Sequence, residues 1–259
     1  VTLATDGTID PGCSVFVDPG PRTGSTPTEA AALEAYLARG GAALLLYDLD
    51  TPVEPSLAAA LEKVGARPGG GVVIDPTDHY FTDEQMVAVT RYLDHPVTRD
   101  LALTFFPGSR PVLGSAPPQG VAVTPLVTTS KDSYVRPLHL DPRDDGSRYP
   151  RGAQTIAIAA EGTWPGAAGG RPFRLIVIGD VDFASNSFFP YMSNADLVTA
   201  GVAWLARDEG GARMKPAQEV LPRVVLTSRQ VNLIFALTVC ALPGSVAAIG
   251  VFLWWRRRR

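Results

Sequence analysis

The last 29 residues constrain this chain more than the 230 before them. Residues 231–255 (VNLIFALTVCALPGSVAAIGVFLWW) run for 25 positions without Asp, Glu, Lys, Arg or His. As a helix rising about 1.5 Å per residue, the stretch spans roughly 37 Å, against about 30 Å of bilayer hydrocarbon. A soluble core helix of that length would carry a polar face, and this one has none. Trp254 and Trp255 close the stretch, where amphipathic indoles favour the headgroup level, and Arg256 to Arg259 follow. The sequence predicts a transmembrane helix over 231–255, a basic tail over 256–259, and a soluble body tethered to a membrane. Pro243-Gly244 interrupts the helix. It reads either as a tolerated kink or, with Ala241, Gly244, Ala247 and Ala248, as a small-residue packing surface.

The net charge of −3 hides an asymmetry. All 26 acidic residues precede Val231, with 19 of the 23 basic ones, so the body carries 19 − 26 = −7 and the tail +4. An acidic body excludes nucleic acid as a partner, because phosphate-backbone binding needs clustered Lys and Arg. The tail suits an anionic cytoplasmic leaflet. The positive-inside tendency then puts the tail in the cytoplasm and the body outside, with Arg223 and Arg229 opposing from the other flank. The chain opens at Val1 without a signal peptide. That leaves three readings: a missing native N-terminal part, numbering that begins within a longer protein, or a tail-anchored protein with a cytosolic body. Cys13 lies in the body and Cys240 in the anchor, so the two do not pair within the chain.

The body alternates strands and helices. Residues 14–18 (SVFVD) read as a buried strand ending at Pro-Gly-Pro. Residues 28–38 have helical apolar spacing, a Thr26 or Thr28 cap and a Gly40-Gly41 stop. Residues 42–47 (AALLLY) are a second buried strand. Residues 56–64 are a helix capped by Ser56, and Val72 starts a third strand. This β-α-β-α-β order implies a parallel sheet with helices on its faces. Residues 101–106, 121–128, 155–160 and 175–178 read as further strands, and 162–171 as a hairpin or loop. Residues 141–152 read as an exposed loop. Residues 194–206 are a helix with Leu197, Val198, Val202 and Leu205 inward, and 208–223 are polar. The expected plan is a body over 1–207, a connector over 208–230, then the transmembrane helix and tail.

Four segments resemble the GldG-type family, the auxiliary membrane proteins of ABC transport systems first associated with gliding motility. They are DPGPRTGSTPTEAAALEAYLARGGAALLLYD (18–48), HPVTRDL (95–101) with the following FFPG, VIGDVDFASNSFF (177–189) with NADLVTAGVAWLARDE, and the anchor entered by QVNLIF and left by WWRRRR. The resemblance implies an extracytoplasmic α/β body with a mainly parallel, flavodoxin-like or glutamine-amidotransferase-like sheet. It also implies a native N-terminal transmembrane segment ahead of residue 1. It implies no established enzymatic activity and no cofactor. The partners it implies are ABC permease and ATPase subunits, or another integral membrane complex, together with the bilayer.

Gly179-Asp180-Val181-Asp182 follows a strand, where open α/β sheets place ligand sites. Two carboxylates there suit a divalent cation or an acid/base pair. The competing reading has Asp180 and Asp182, with Ser185 and Asn186, accepting turn amides. Asp180, Asp182, Ser185 and Asn186 are the candidate ligand site. No G-x-S-x-G or G-x-C-x-G nucleophile turn occurs. Cys13 precedes its strand, and His79, His95 and His139 are too scattered for a triad or a zinc signature. Gly69-Gly70-Gly71 and Gly169-Gly170 lack the Gly-Lys-Ser/Thr of a phosphate loop and read as turns, so another subunit would hydrolyse nucleotide. Three function classes stand: a non-enzymatic ABC auxiliary subunit binding a partner protein or glycan-like ligand, an amidotransferase-like hydrolase or metal-binding domain acting through Asp180 and Asp182, and a structural subunit of another membrane assembly.

Overall fold

A computed structural model describes residues 7–20, 23–114, 116, 118–138, 146–167, 170–208 and 234–258. Two compact units divide the chain, Val1–Lys215 and Pro216–Arg259.

The first unit opens with β1 (Phe16–Asp18), α1 (Pro27–Ala38), β2 (Ala42–Leu46) and α2 (Pro55–Lys63). Helix α1 starts in a capping box. The Glu29 amide donates to the Thr26 hydroxyl at 3.3 Å, and the Thr26 amide donates to the Glu29 carboxylate at 2.7 Å. Pro27 at the first helical position has no amide to leave unpaired. Helix α2 differs from expectation. Its cap is Glu54, whose carboxylate accepts the Leu57 amide at 2.9 Å and the Ser56 hydroxyl. Pro55 starts the helix one residue early, and only Glu54 precedes it to act as cap.

Next come β3 (Arg67–Pro68), β4 (Val72–Ile74), β5 (His79–Tyr80), β6 (Asp83–Val89), β7 (Thr104–Pro107), β8 (Val112–Leu113), β9 (Val121–Thr128), β10 (Tyr134–Arg136), β11 (Thr155–Gly162) and β12 (Phe173–Ile178). A short 3₁₀ turn at Asp182–Ala184 and α3 (Asn194–Leu205) complete the unit.

The principal sheet has the order β1-β2-β12-β11-β9. β1, β2 and β12 are parallel neighbours, as the sequence predicts. β11 and β9 join antiparallel, so the sheet is mixed rather than mainly parallel. β11 and β12 are consecutive in the chain and neighbours in the sheet, and a strand that returns directly beside its predecessor must reverse direction. Val72–Ile74 also departs from expectation. It leaves this sheet and pairs antiparallel with β10. β1 is an edge strand, with Val17 44% exposed, not a strand buried on both faces.

Successive side chains of a strand point to opposite faces, and that alternation builds two cores. Ala43 and Leu45 of β2, with Leu175 and Val177 of β12, pack under Leu33, Leu37 and Leu61 of α1 and α2. Ala42, Leu44 and Leu46, with Ile176 and Ile178, pack on the other face against Leu197 and Leu205 of α3 and Phe106 of β7. Val198 and Val202 of α3, expected inward, are only partly buried, while Trp204 is buried.

In the second unit, a π-helical turn at Ala236–Ala241 runs into α4 (Leu242–Arg257). The Leu242 amide reaches back five residues to the Leu237 carbonyl, just before Pro243. Such bulges commonly accommodate a proline, which cannot donate into the helical ladder. Ala236–Arg257 is the one helix among the described residues long and apolar enough to cross a membrane, with 22 residues and mean hydropathy 2.1. Of the tail, Arg256 to Arg258 are described, and the predicted connector falls almost wholly outside the described residues.

Candidate functional site

Three parallel strands end at one edge of the principal sheet, and each delivers a carboxylate there. β1 closes on Asp18, β2 continues into Tyr47 and Asp48, and β12 continues through Gly179 into Asp180 and Asp182. Open α/β sheets place ligands at this edge.

Gly179 is fixed by a close approach. A Cβ there would lie 2.0 Å from the Arg110 carbonyl, and the Arg110 amide donates to the Gly179 carbonyl at 2.7 Å. The Arg110 side chain is buried and donates to the carbonyls of Gly69, Asp48 and Thr51, tying the loops after β2 and β7 together. Asp180 is 1% exposed. One oxygen accepts the Asp182 amide at 2.7 Å, and the other is buried without a partner. Burial pushes the Asp180 carboxyl well above the usual carboxylate range, and the Asp182 and Asp48 carboxylates add to the rise. Asp182 is exposed, and burial and Asp48 raise it too. Tyr47 and Ser109 also carry buried hydroxyls without partners. Burial and the Asp18 charge push Tyr47 up, against the pull of Arg110.

The predicted residues therefore fall on one turn with different exposures. Asp180 faces inward and does accept a turn amide. Asp182 and Asn186 are exposed and Ser185 is half-buried. Their side chains make no hydrogen bond among those of the described residues, so the turn is not built by them. Asn194 builds it instead. This fully buried amide accepts from the Phe105 amide at 2.8 Å and donates to the carbonyls of Phe105, Phe183 and Phe188. It joins β7 to both limbs of the Asp180 turn. Sequence reading takes Asn194 for the start of a helix and misses this role. Arg110 is missed as well; its only signal is a lone cation between two apolar runs. Among the described residues no group of three or more His, Cys, Asp or Glu side chains is placed to hold a metal ion.

Asp75, after β4, is the other buried carboxylate. It accepts the amides of Thr77, Asp78 and Ser130 and the Ser130 hydroxyl, at 2.7–3.0 Å. A cleft of about 600 Å³ opens beside it, lined by Thr77, Asp78, Arg91, Ser130, Lys131 and Asp132 among others.

The sequence model of the family described as ABC-type uncharacterized transport system matches residues 1–201. The chain belongs to this family of ABC transport auxiliary proteins. The match takes in the whole principal sheet, the Asp180 turn and most of α3, and it agrees with the GldG-type resemblance. Among solved structures, the mmIFT52 N-terminal domain is similar at 18% identity, with 75% of this chain and 78% of that chain covered and a TM-score of 0.54. That likeness concerns the fold alone. A ThuA-like protein from Bacteroides uniformis ATCC 8492 aligns at 18% identity over 76% of this chain and 71% of that one, with a TM-score of 0.39. No curated protein matches the chain.

Proposed function

We propose that this chain is a membrane-anchored, non-enzymatic auxiliary subunit of an ABC-type transport or motility complex. Its body, residues 1–207, binds a partner or ligand outside the cytoplasmic membrane, and residues 231–255 anchor it. Family membership carries the reading. The anchor rests on the apolar helix Ala236–Arg257.

Binding rather than chemistry is favoured by how the reactive groups are used. Asp180 is sealed from solvent. The His79 ring donates from Nδ1 to the Asp75 carbonyl at 2.9 Å, and His95 packs edge-on to Trp204 at 5.0 Å. Beside the Asp180 turn lies a continuous aromatic cluster: Tyr80, Phe81, Phe105, Phe188 and Tyr191, with centroids 4.7–6.4 Å apart. Phe81 is 69% exposed and Met192 52% exposed, and both hold positive φ, 59° and 49°. Left-handed backbone is costly for bulky side chains, and exposed apolar groups return little of that cost in the free protein. A partner covering them would return it. Asp182 and Asn186, exposed, and Ser185, half-buried, lie on the turn that leads to Phe188 and offer polar groups to the same partner.

The test is purification of the full chain from native membranes after brief cross-linking. The expected result is recovery of ABC permease and ATPase subunits in fixed ratio, reduced by Phe81→Ser with Met192→Ser. Recovery of an unrelated integral assembly instead would refute the transport role and support a general structural one.

A further inference from the structure

The opposite edge of the principal sheet carries the opposite charge. There, at the amino ends of β1, β2 and β12, a cleft of about 380 Å³ is formed by four segments. Residues 11–14 lead into β1, the end of α1 runs through Gly40-Gly41 into β2, Arg171 precedes β12, and residues 205–207 end α3. Arg39, Arg171 and Arg207 line it, and no Asp or Glu does. In a body of net charge −7 this concentration of cations stands apart.

The arginines are placed by the fold. Gly40, with φ +87°, has the Arg171 carbonyl 2.3 Å from where a Cβ would sit, so only glycine lets the two walls meet. The Arg39 guanidinium donates to the Ile9 carbonyl and lies 5.2 Å from the Tyr36 ring centroid. Arg207 donates to the Pro172 carbonyl. Arg171 is exposed and makes no ion pair among the described residues. Arg174, behind the cleft, is neutralised by Glu161 at 3.2 Å. Two carboxylates adjoin the lining residues in sequence, Asp208 after Arg207 and Asp10 before Pro11, and Asp10 accepts the Gly12 amide at 2.6 Å. Burial lowers the Arg207 pKa, and the positive charges of Arg174 and Arg171 lower it further, with Glu161 opposing them.

We propose that this cleft is an anion site that takes a phosphate-bearing group. Three guanidinium groups present forked donors that match phosphate oxygens, and a dianion balances them better than a single carboxylate. The phosphate can belong to a soluble ligand or to a lipid headgroup. The inference is independent of the transport reading.

Cys13 lines the cleft and is half-buried, which gives a built-in probe. The experiment uses the full chain in phosphatidylcholine nanodiscs with Cys240→Ala, leaving Cys13 as the one thiol. Alkylation by a neutral maleimide is timed against added inorganic pyrophosphate, and separately in nanodiscs containing phosphatidic acid. Saturable slowing is expected. Arg171→Ala and Arg207→Ala should each weaken it about tenfold, the effect of losing one charge-assisted contact, while Arg99→Ala leaves it unchanged. Slowing by pyrophosphate alone assigns a soluble ligand, and slowing in phosphatidic acid discs assigns a headgroup. A second measurement needs no variant: an anionic thiol reagent should react faster at Cys13 than a cationic one of equal size. Equal rates, or no slowing by either phosphate source, or slowing that survives both arginine substitutions, overturns the proposal.

Discussion

Asp180 and Asp75 are both buried carboxyls at the end of a strand, yet their surroundings push them in opposite directions. Asp180 has backbone donors from Asp182 and Phe183 and one oxygen with no partner, so burial dominates and the carboxyl is raised. At Asp75 burial also pushes upward, but donors from Asp78, Ser130 and Thr77 together outweigh it, and the carboxyl is held low. The raised group contributes stability below its unfolded pKa, and that contribution fades as pH rises through its folded value. The lowered group contributes above its unfolded pKa and is lost as pH falls through its folded value. Asp180→Asn should therefore hold or raise the melting temperature at neutral pH, with the gain shrinking toward pH 4. Asp75→Ala should cost roughly 1–3 kcal/mol at neutral pH by leaving buried amides unpaired, with the loss shrinking in acid. Thermal unfolding of both variants across pH 4 to 8 checks the pair; parallel curves with wild type would sink the assignment. Asn194→Ala should cost at least about 2 kcal/mol, since it strips the carbonyls and amide it serves. Asp180 is legible in sequence because its signal is local, a carboxylate just past an apolar strand. Asn194 is not: its Phe105 partner lies 89 residues away, and Arg110 reaches 41 to 62 residues back.

The same division between local and distant signals holds for whole elements. The capping box of α1 is written within four residues, and the helix begins where it says. Thr26→Ala should cost about 1 kcal/mol in unfolding experiments. For helix α2 the sequence reading takes Ser56 as the cap, and the structure uses Glu54. Glu54→Ala should lower the melting temperature more than Ser56→Ala, and the reverse order would restore the sequence reading. The strands of the principal sheet were legible from apolar runs, and so was the parallel neighbourhood of β1, β2 and β12, whereas β3, β5, β6, β8 and β10, short or polar, were not. The fate of Val72–Ile74 was not, because three apolar residues bury equally well in any sheet. Its pairing with β10 depends on Tyr134, sixty residues on from Ile74. The mixed character of the sheet likewise follows from the antiparallel return of β11 into β12, a connection whose Gly, Ala and Pro content signals a break between strands and not its place in the strand order.

At the scale of the molecule, charge and hydropathy act together along the chain, and they make a prediction about sidedness. A helix of 22 residues extends roughly 33 Å, enough for the hydrocarbon of a bilayer. Its C-terminal end carries four arginines, and its last turn places Arg258 over the Trp254 ring at 4.1 Å, the pairing of cation and indole suited to a headgroup layer. Moving four guanidinium groups across a membrane is far costlier than leaving them on the side of synthesis. The acidic body lacks that obstacle, since acidic residues weigh little in the orientation rule. We therefore expect Arg256 to Arg259 in the cytoplasm and the body outside. Protease added to intact spheroplasts should digest the body and leave a small anchored fragment carrying Trp254 and Trp255. Replacing the four arginines with glutamine should loosen that preference and protect part of the population. A wild-type body that resists protease until the membrane is lysed would place it in the cytoplasm, and with it the aromatic face and the arginine cleft.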